Sequence, residues 1–378
     1  MHILIAPNAF KNSLSAADAA KAIKQGLQKS KLHCTCECFP IADGGDGTAQ
    51  LIIKKCEGKI ITEVVQDPLG RKIKASFGLI DKGKTAVIEM ADASGLRLLK
   101  HDELNPLQAS STGTGELIKL ALDKNVTKII IAMGGSATVD GGTGILSALG
   151  VKFLNAKNKL LTGLPENLIH LDTIDVDSID YRILSCKVIV LCDVDNKLLG
   201  DNGAAAVFGP QKGATPKGVK KLEASLTKLT EVAFKQTGKD MAAIKYGGAA
   251  GGAAGGLSTF LNAKLVNGIE YFLQLTTFEE ALKQSDIVIT GEGSIDEQTL
   301  QGKGPFGVAV KAKKRGIPVI AISGKIPLEP RDKLKKYFDV LLPIGNEPTG
   351  IKTALLSAKN NLMRTSTEIG NLLALIMK

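Results

Sequence analysis

The chain has 378 residues, 44% of them hydrophobic, and a formal net charge of +10. That length exceeds the usual size of one hydrophobic core, so two domains are expected, and no apolar run approaches the ~20 residues that span a bilayer. The positive charge raises nucleic acid as a partner, but the lysines are scattered, tryptophan is absent and tyrosine numbers only four, which argues against a base-stacking surface; a basic enzyme for phosphorylated or carboxylate substrates fits the charge.

In chain order, "MHILIAPNAFKNSLS" lacks a basic leader region and a cleavage site and reads as a first strand. "SAADAAKAIKQGLQK" follows as a helix, with Ser15 the expected N-cap and Asp18 in its first turn. In "LHCTCECFP", Cys34, Cys36 and Cys38 alternate and share one face of a strand. Three thiols in a row suggest a metal site, but no second Cys pair or His stands at zinc spacing, so core packing is expected. Six cysteines without a disulfide-like framework point to a reducing cytoplasm.

"PIADGGDGT" then places Asp43 and Asp46 among three glycines before a helix that begins at Thr48. A turn needs one glycine, and two neighbouring carboxylates need something positive between them. From Ile60 to Met90, "DPLG" and "DKGK" separate strand-like segments, as in an antiparallel meander. Beyond it, "KIIIAMGG", "KVIVLCDVD", "DIVITGEG", "PVIAISG" and "FDVLLPIG" are near-continuous apolar strands of the parallel type, many followed by helical patterns. "GGAAGGAAGG", Gly247 to Gly256, reads either as a mobile linker or as a loop that lets a ligand approach backbone amides. The return to strand–helix alternation near the end suggests a discontinuous domain, 1–60 with 285–378, around an inserted domain, 61–284.

The strand ends share one pattern: apolar strand, glycines with Asp, Glu, Ser or Thr, then a helix. Ligands of open α/β sheets sit beyond such carboxyl ends, where glycine amides and helix N-termini suit phosphate. "MGGSATVDGGTG" offers Gly134, Gly135 and Ser136, with Asp140 nearby; it is neither a Walker A loop nor a dinucleotide fingerprint. In "VITGEGSIDEQTLQGKGPFG", Gly291 and Gly293 are read as following the strand. Glu292 and Asp296 there are candidate metal or proton-transfer groups, and Lys303 a candidate phosphate cation. Asp193 and Asp195, on a continuing strand, would share a face as a magnesium site requires. Lys212 in "FGPQKGAT", and Lys11 with Ser13 in "APNAFKNSLS", complete the set. All four histidines lie outside these loops, which argues against a Ser–His–Asp triad or a His metal site. Carboxylates, lysines and glycine amides are the inventory of phosphoryl transfer.

The ordered blocks "FKNSLSA", "PIADGGDGT", "GTGELI", "GGSATVDGG", "FGPQKGAT", "GGAAGG" and "TGEGSIDEQTLQGKGP" together resemble the class I (bacterial-type) glycerate kinases over essentially the whole chain. The resemblance implies two unlike α/β domains with the active site in the cleft between them. One is flavodoxin-like and built from both chain ends; the other is an inserted mixed-sheet α/β domain. It also implies ATP-dependent, divalent-cation-dependent phosphorylation of D-glycerate, the 2-phosphate favoured. The positions that match the family's blocks are Lys11, Ser13, Asp43, Asp46, Ser136, Asp140, Asp193, Asn196, Lys212, Glu292, Asp296 and Lys303.

The roles expected of them are physical assignments. Asp296 is the first choice of general base and Asp193 the second. Lys11 and Lys212 face the glycerate carboxylate or the transferring phosphate, with Ser13, Asp43 and Asp46 on the substrate. Gly134, Gly135, Ser136, Asp140, Gly291, Gly293 and Lys303 bind ATP. Asp193, Asp195 and Glu292 hold Mg²⁺. The chain departs from the family pattern at Ser294, often basic, at Val139, often Asn, at Lys197, often Pro, and at Leu104, commonly charged. These departures bear on substrate preference more than on reaction class. The expected partners are ATP and D-glycerate, without nucleic acid or membrane, and a homodimer is left open. The rival readings are a kinase of another small hydroxy acid and a non-catalytic regulator that binds sugar acids.

Overall fold

The computed structural model describes residues 1–328 and 332–376. Its strands are β1 His2–Pro7, β2 Thr35–Cys38, β3 Lys59–Gln66, β4 Lys72–Ile80, β5 Thr85–Glu89, β6 Lys128–Ala132, β7 Lys152–Asn155, β8 Leu171–Asp175, β9 Lys187–Cys192, β10 Lys264–Asn267, β11 Ile287–Ser294, β12 Val319–Lys325 and β13 Val340–Pro343. They fall into two compact units, Met1–Asp43 with Ile269–Lys378, and Gly44–Gly268.

The first unit is a parallel sheet in the order β13-β12-β11-β1-β2. In the unit's own strand order this is 2-1-3-4-5, the flavodoxin-like winding, with its switch point between β1 and β11. Ile3, Leu4, Ile5 and Ala6 are all fully buried, as a parallel strand covered on both faces requires. Ser15 caps the helix Ala16–Lys29 by accepting from the Asp18 N–H, as its sequence position indicates. That helix lies along Ile351–Ile376 so closely that a Cβ on Gly26 would overlap the Met363 carbonyl. Cys34, Cys36 and Cys38 pack against this core. All six cysteines are free, and burial pushes the Cys36 thiol up to about 12. They behave as small apolar side chains.

The second unit carries a mixed sheet, β10-β9-β6-β5-β4-β3. The meander β3–β4–β5 is antiparallel, and β5, β6, β9 and β10 are parallel. A two-stranded antiparallel pair, β7–β8, stands apart from it. The units divide at Asp43/Gly44 and Gly268/Ile269, earlier than the expected 60/61 and 284/285. The helix Thr48–Lys55 packs on β4 and β5 and so goes with the mixed sheet. The segment 269–284 goes with the parallel sheet, where Phe278 meets Phe39 edge-on at 5.2 Å. Residues 247–256 are not a mobile linker. Gly248 donates to the Asn196 carbonyl, the Gly251 carbonyl accepts from Gly141, and Gly252 opens the buried helix Ala253–Leu261. No helix among the described residues is long and apolar enough to cross a membrane.

Candidate active site

In the first unit, register places Pro7, Gly291 and Ile322 side by side, so β1, β11 and β12 reach one level. Just beyond, at the switch point, stand Asn8 and Glu292. Asn8 Nδ2 donates to Asp43 Oδ2 at 2.8 Å. The same oxygen accepts from the Gly304 N–H at 3.2 Å, at the start of the helix Gly304–Lys313. Glu292 is buried, and its Oε1 accepts from Thr299 Oγ1 at 2.8 Å. Burial, then the charge of Asp43, raises its carboxyl to about 7; Thr299 and Lys303 oppose the shift. Asp296 caps the short helix Glu297–Gln301, its Oδ1 accepting from the Gln298 N–H at 2.9 Å.

In the second unit, Glu89, Ala132 and Leu191 are register neighbours, so β5, β6 and β9 end together. The turn after β6 is held on two sides. The Gly134 N–H donates to the Gly44 carbonyl at 2.9 Å, Leu96 donates to the Gly135 carbonyl and Ala137 to the Ser94 carbonyl. The N–H groups of Gly135 and Ser136 make no hydrogen bond to another described residue. Lys212, 3% exposed, lies under this turn: its Nζ donates to Ser136 Oγ at 2.8 Å and to the Thr138 carbonyl at 2.7 Å. Burial lowers its pKa to about 7, against the pull of the Asp140 and Asp193 carboxylates. This arrangement can take an anion: two unused amides, and an ammonium that gains stability as negative charge arrives.

The comparisons with known proteins agree with that chemistry. A model described as "Glycerate kinase family" matches residues 3–374. The chain belongs to the glycerate kinase family. A "Glycerate kinase" of Haemophilus influenzae is 42% identical, with 99% of each chain covered. A "Glycerate 2-kinase" of Escherichia coli is 41% identical over 100% of this chain and 99% of its own. A solved structure from Salmonella typhimurium LT2, provisionally called glycerate kinase 2, superposes with a TM-score of 0.83 at 39% identity, covering 100% of this chain and 99% of that one. The chain is therefore a phosphotransferase, and family membership implies ATP as its phosphoryl donor.

Against this glycerate kinase frame several expected residues change character. Asp140 is fully buried, and its carboxylate accepts from Ser111 N and Oγ, Gly142 N and Gly144 N, so it shapes the loop. Gly291 and Gly293 do not follow a strand; both lie inside β11. A Cβ on Gly291 would overlap the Ile322 carbonyl of β12, so sheet packing explains that glycine. Asp193 and Asp195 lie past Cys192, where β9 ends, so strand alternation does not orient them; Asp193 is half-buried and Asp195 exposed. Ser13 donates its hydroxyl proton to the Leu355 carbonyl at 2.6 Å. Lys11 and Asp46 are exposed, and Lys303 is half-buried at the N-cap of Gly304–Lys313.

The departures from the family pattern sort as simply. Val139 is core, Leu104 packs against Gly213, Lys197 is exposed, and Ser294 has Lys325 of β12 as its register partner. Among the described residues no three His, Cys, Asp or Glu side chains gather as a metal cage.

Sequence reasoning missed Asn8, Thr299 and Glu89. Asn8 follows an apolar strand and was legible as a strand-end polar residue. Glu89 acquires its role through partners 42 and 40 residues away, and Thr299 through a carboxylate that the fold buries.

Proposed function

We propose that this chain transfers the γ-phosphoryl group of ATP to the 2-hydroxyl of D-glycerate, giving 2-phosphoglycerate and ADP. The observation that carries the reading is the Gly135–Ser136 turn, with two unused N–H groups above the buried Lys212 ammonium. The Escherichia coli relative's name supports the 2-position. Gly135, Ser136 and Lys212 bind phosphate oxygens in this scheme. Glu292 replaces Asp296 as proton acceptor: a carboxyl titrating near 7 is matched to general-base work at neutral pH, and Asp296 already serves as a helix cap. Lys11 and Lys303 take the acid's carboxylate, Lys303 because its charge already acts on Glu292.

Mg²⁺ prefers hard oxygen ligands and commonly uses one or two carboxylates plus substrate phosphates. Asp193, with Asp195, fits that pattern, and the lack of a larger acidic cluster among the described residues is compatible with it. Bound there, the ion screens phosphate charge. The proton-acceptor role removes Glu292 from the expected metal set. Free cysteines throughout support a reducing, cytoplasmic setting.

The test is incubation with D-glycerate, ATP and Mg²⁺, followed by phosphorus NMR. A new phosphomonoester coupled to the C2 proton is expected. Unchanged ATP from a folded sample overturns the substrate, and coupling to the C3 protons overturns the position.

A further inference from the structure

Glu89 is a buried carboxylate of the second unit that the scheme above does not use. Glu89 ends β5 and is 2% exposed. Its Oε1 accepts from the Gly47 N–H at 2.8 Å and its Oε2 from the Ala49 N–H at 3.1 Å. These are the N-cap amide and a first-turn amide of the helix Thr48–Lys55, whose N-cap, Gly47, has no side chain to accept from that turn. The chain after Glu89 forms the helix Met90–Ser94 and then runs beside the phosphate turn, with Leu96 N to Gly135 O at 2.9 Å and Ala137 N to Ser94 O at 2.8 Å. On the other side, Gly134 N reaches Gly44 O, and Asp46 Oδ1 fills the space that a Cβ on Gly135 would need. The Gly135–Ser136 turn thus hangs between two flanking segments. Glu89 belongs to both, to one through its carboxylate and to the other through the chain. Arg97, 3.7 Å from Glu89 Oε1 and paired with Asp92, closes the cluster.

We propose that Glu89 is a positioning residue for nucleotide binding, its carboxylate clamping the Asp46–Ala49 turn against Gly135–Ser136 so that their N–H groups stay aimed at phosphate oxygens. This rests on the reading of that turn as the phosphate site. The ionised carboxylate accepts strongly from both amides; protonation leaves one weakened acceptor and a hydroxyl that must donate elsewhere. Burial, and next to it the Asp92 charge, raises the Glu89 carboxyl to about 7, while the Gly47 and Ala49 amides and Arg97 favour the charged form. Asp46 acts in turn on Asp92. Through this group nucleotide affinity weakens as pH falls through 7.

The experiment uses the full chain and isothermal titration with ATP, without the acceptor acid, at pH 6 and 8, beside steady-state kinetics and melting curves. Glu89→Gln is expected to weaken ATP binding about tenfold at pH 8, the size of one charge-assisted hydrogen bond. It should also lose the part of the pH 6 to 8 change that Glu89 causes, with kcat changed by less than about threefold and a similar melting temperature. A lower melting temperature and kcat with unchanged ATP affinity overturns the proposal, as does an unchanged pH dependence. Should Glu89→Gln not fold, Arg97→Ala, which alters a half-exposed member of the cluster, decides: an ATP affinity equal to wild type overturns it. Gly135→Ala separates the two readings. If Gly135→Ala leaves ATP affinity intact, the turn is not the phosphate site; if Gly135→Ala weakens binding and Glu89→Gln does not, only the role of Glu89 falls.

Discussion

Lys212 Nζ donates to Ser136 Oγ at 2.8 Å, joining side chains 76 residues apart and sealing the ammonium beneath the phosphate turn. With its pKa lowered to about 7, Lys212 is mostly neutral at pH 8 in the free protein. Arriving phosphate charge restores the proton. ATP binding at pH 8 should therefore take up close to one proton, read from titrations in buffers of different ionisation enthalpy. Lys212→Met should abolish the uptake and lower kcat/KM by about 10²-fold or more, the scale of one lost transition-state donor.

Glu292 and Asp296 should separate cleanly. Glu292→Gln is expected to lower kcat by about 10²–10⁴-fold, as for loss of a positioned base, with little change in melting temperature. The acid limb of the wild-type kcat profile at saturating ATP, near 7, should vanish with it. Asp296→Asn removes only part of a cap and should cost activity far less. Asp43→Asn removes a negative charge that raises the Glu292 pKa, so the same limb should move to lower pH.

Asp140 is a folding residue by its bonds. Asp140→Ala strips the acceptor from Ser111, Gly142 and Gly144, all in the buried loop. Each hydrogen bond to a charged group is worth roughly 1.5–3 kcal/mol, so several kcal/mol of stability should go. Urea unfolding would measure the loss; a variant as stable as wild type but inactive would return Asp140 to the list of ligand contacts.

Stability should have a minimum near pH 7. Glu89 and Glu292 have folded pKa values raised from 4.5 to about 7. Between those values the folded chain binds more protons than the unfolded one, so their contribution is present below 4.5 and lost as pH rises through 7. Lys212 falls from 10.5 to about 7. Through this group the unfolded chain binds more protons between 7 and 10.5, so the contribution of Lys212 recovers as pH rises there. Urea midpoints from pH 5 to 10 read both limbs, and Lys212→Met should flatten the upper one.

The chain's own text determines the reaction class, the alternation of parallel strands and helices, the meander from Ile60 to Met90 and the strand-end loops, because period, glycine placement and apolar runs are local signals. Ser15 as an N-cap is of the same kind. Roles inside the site were decided by tertiary structure. Asp140 and Asp43 look alike in sequence, each an acid beside glycines, yet one is sealed under four donor atoms and the other is shared between Asn8 and the Gly304 amide. Glu89 carries no motif at all. It matters because β5 ends level with β6 and the helix Thr48–Lys55 packs over it, which buries its charge against two amides. Desolvation and hydrogen-bond partners depend on what the fold brings near, and residues such as Glu89 and Gly47, 42 positions apart, meet only when it has formed.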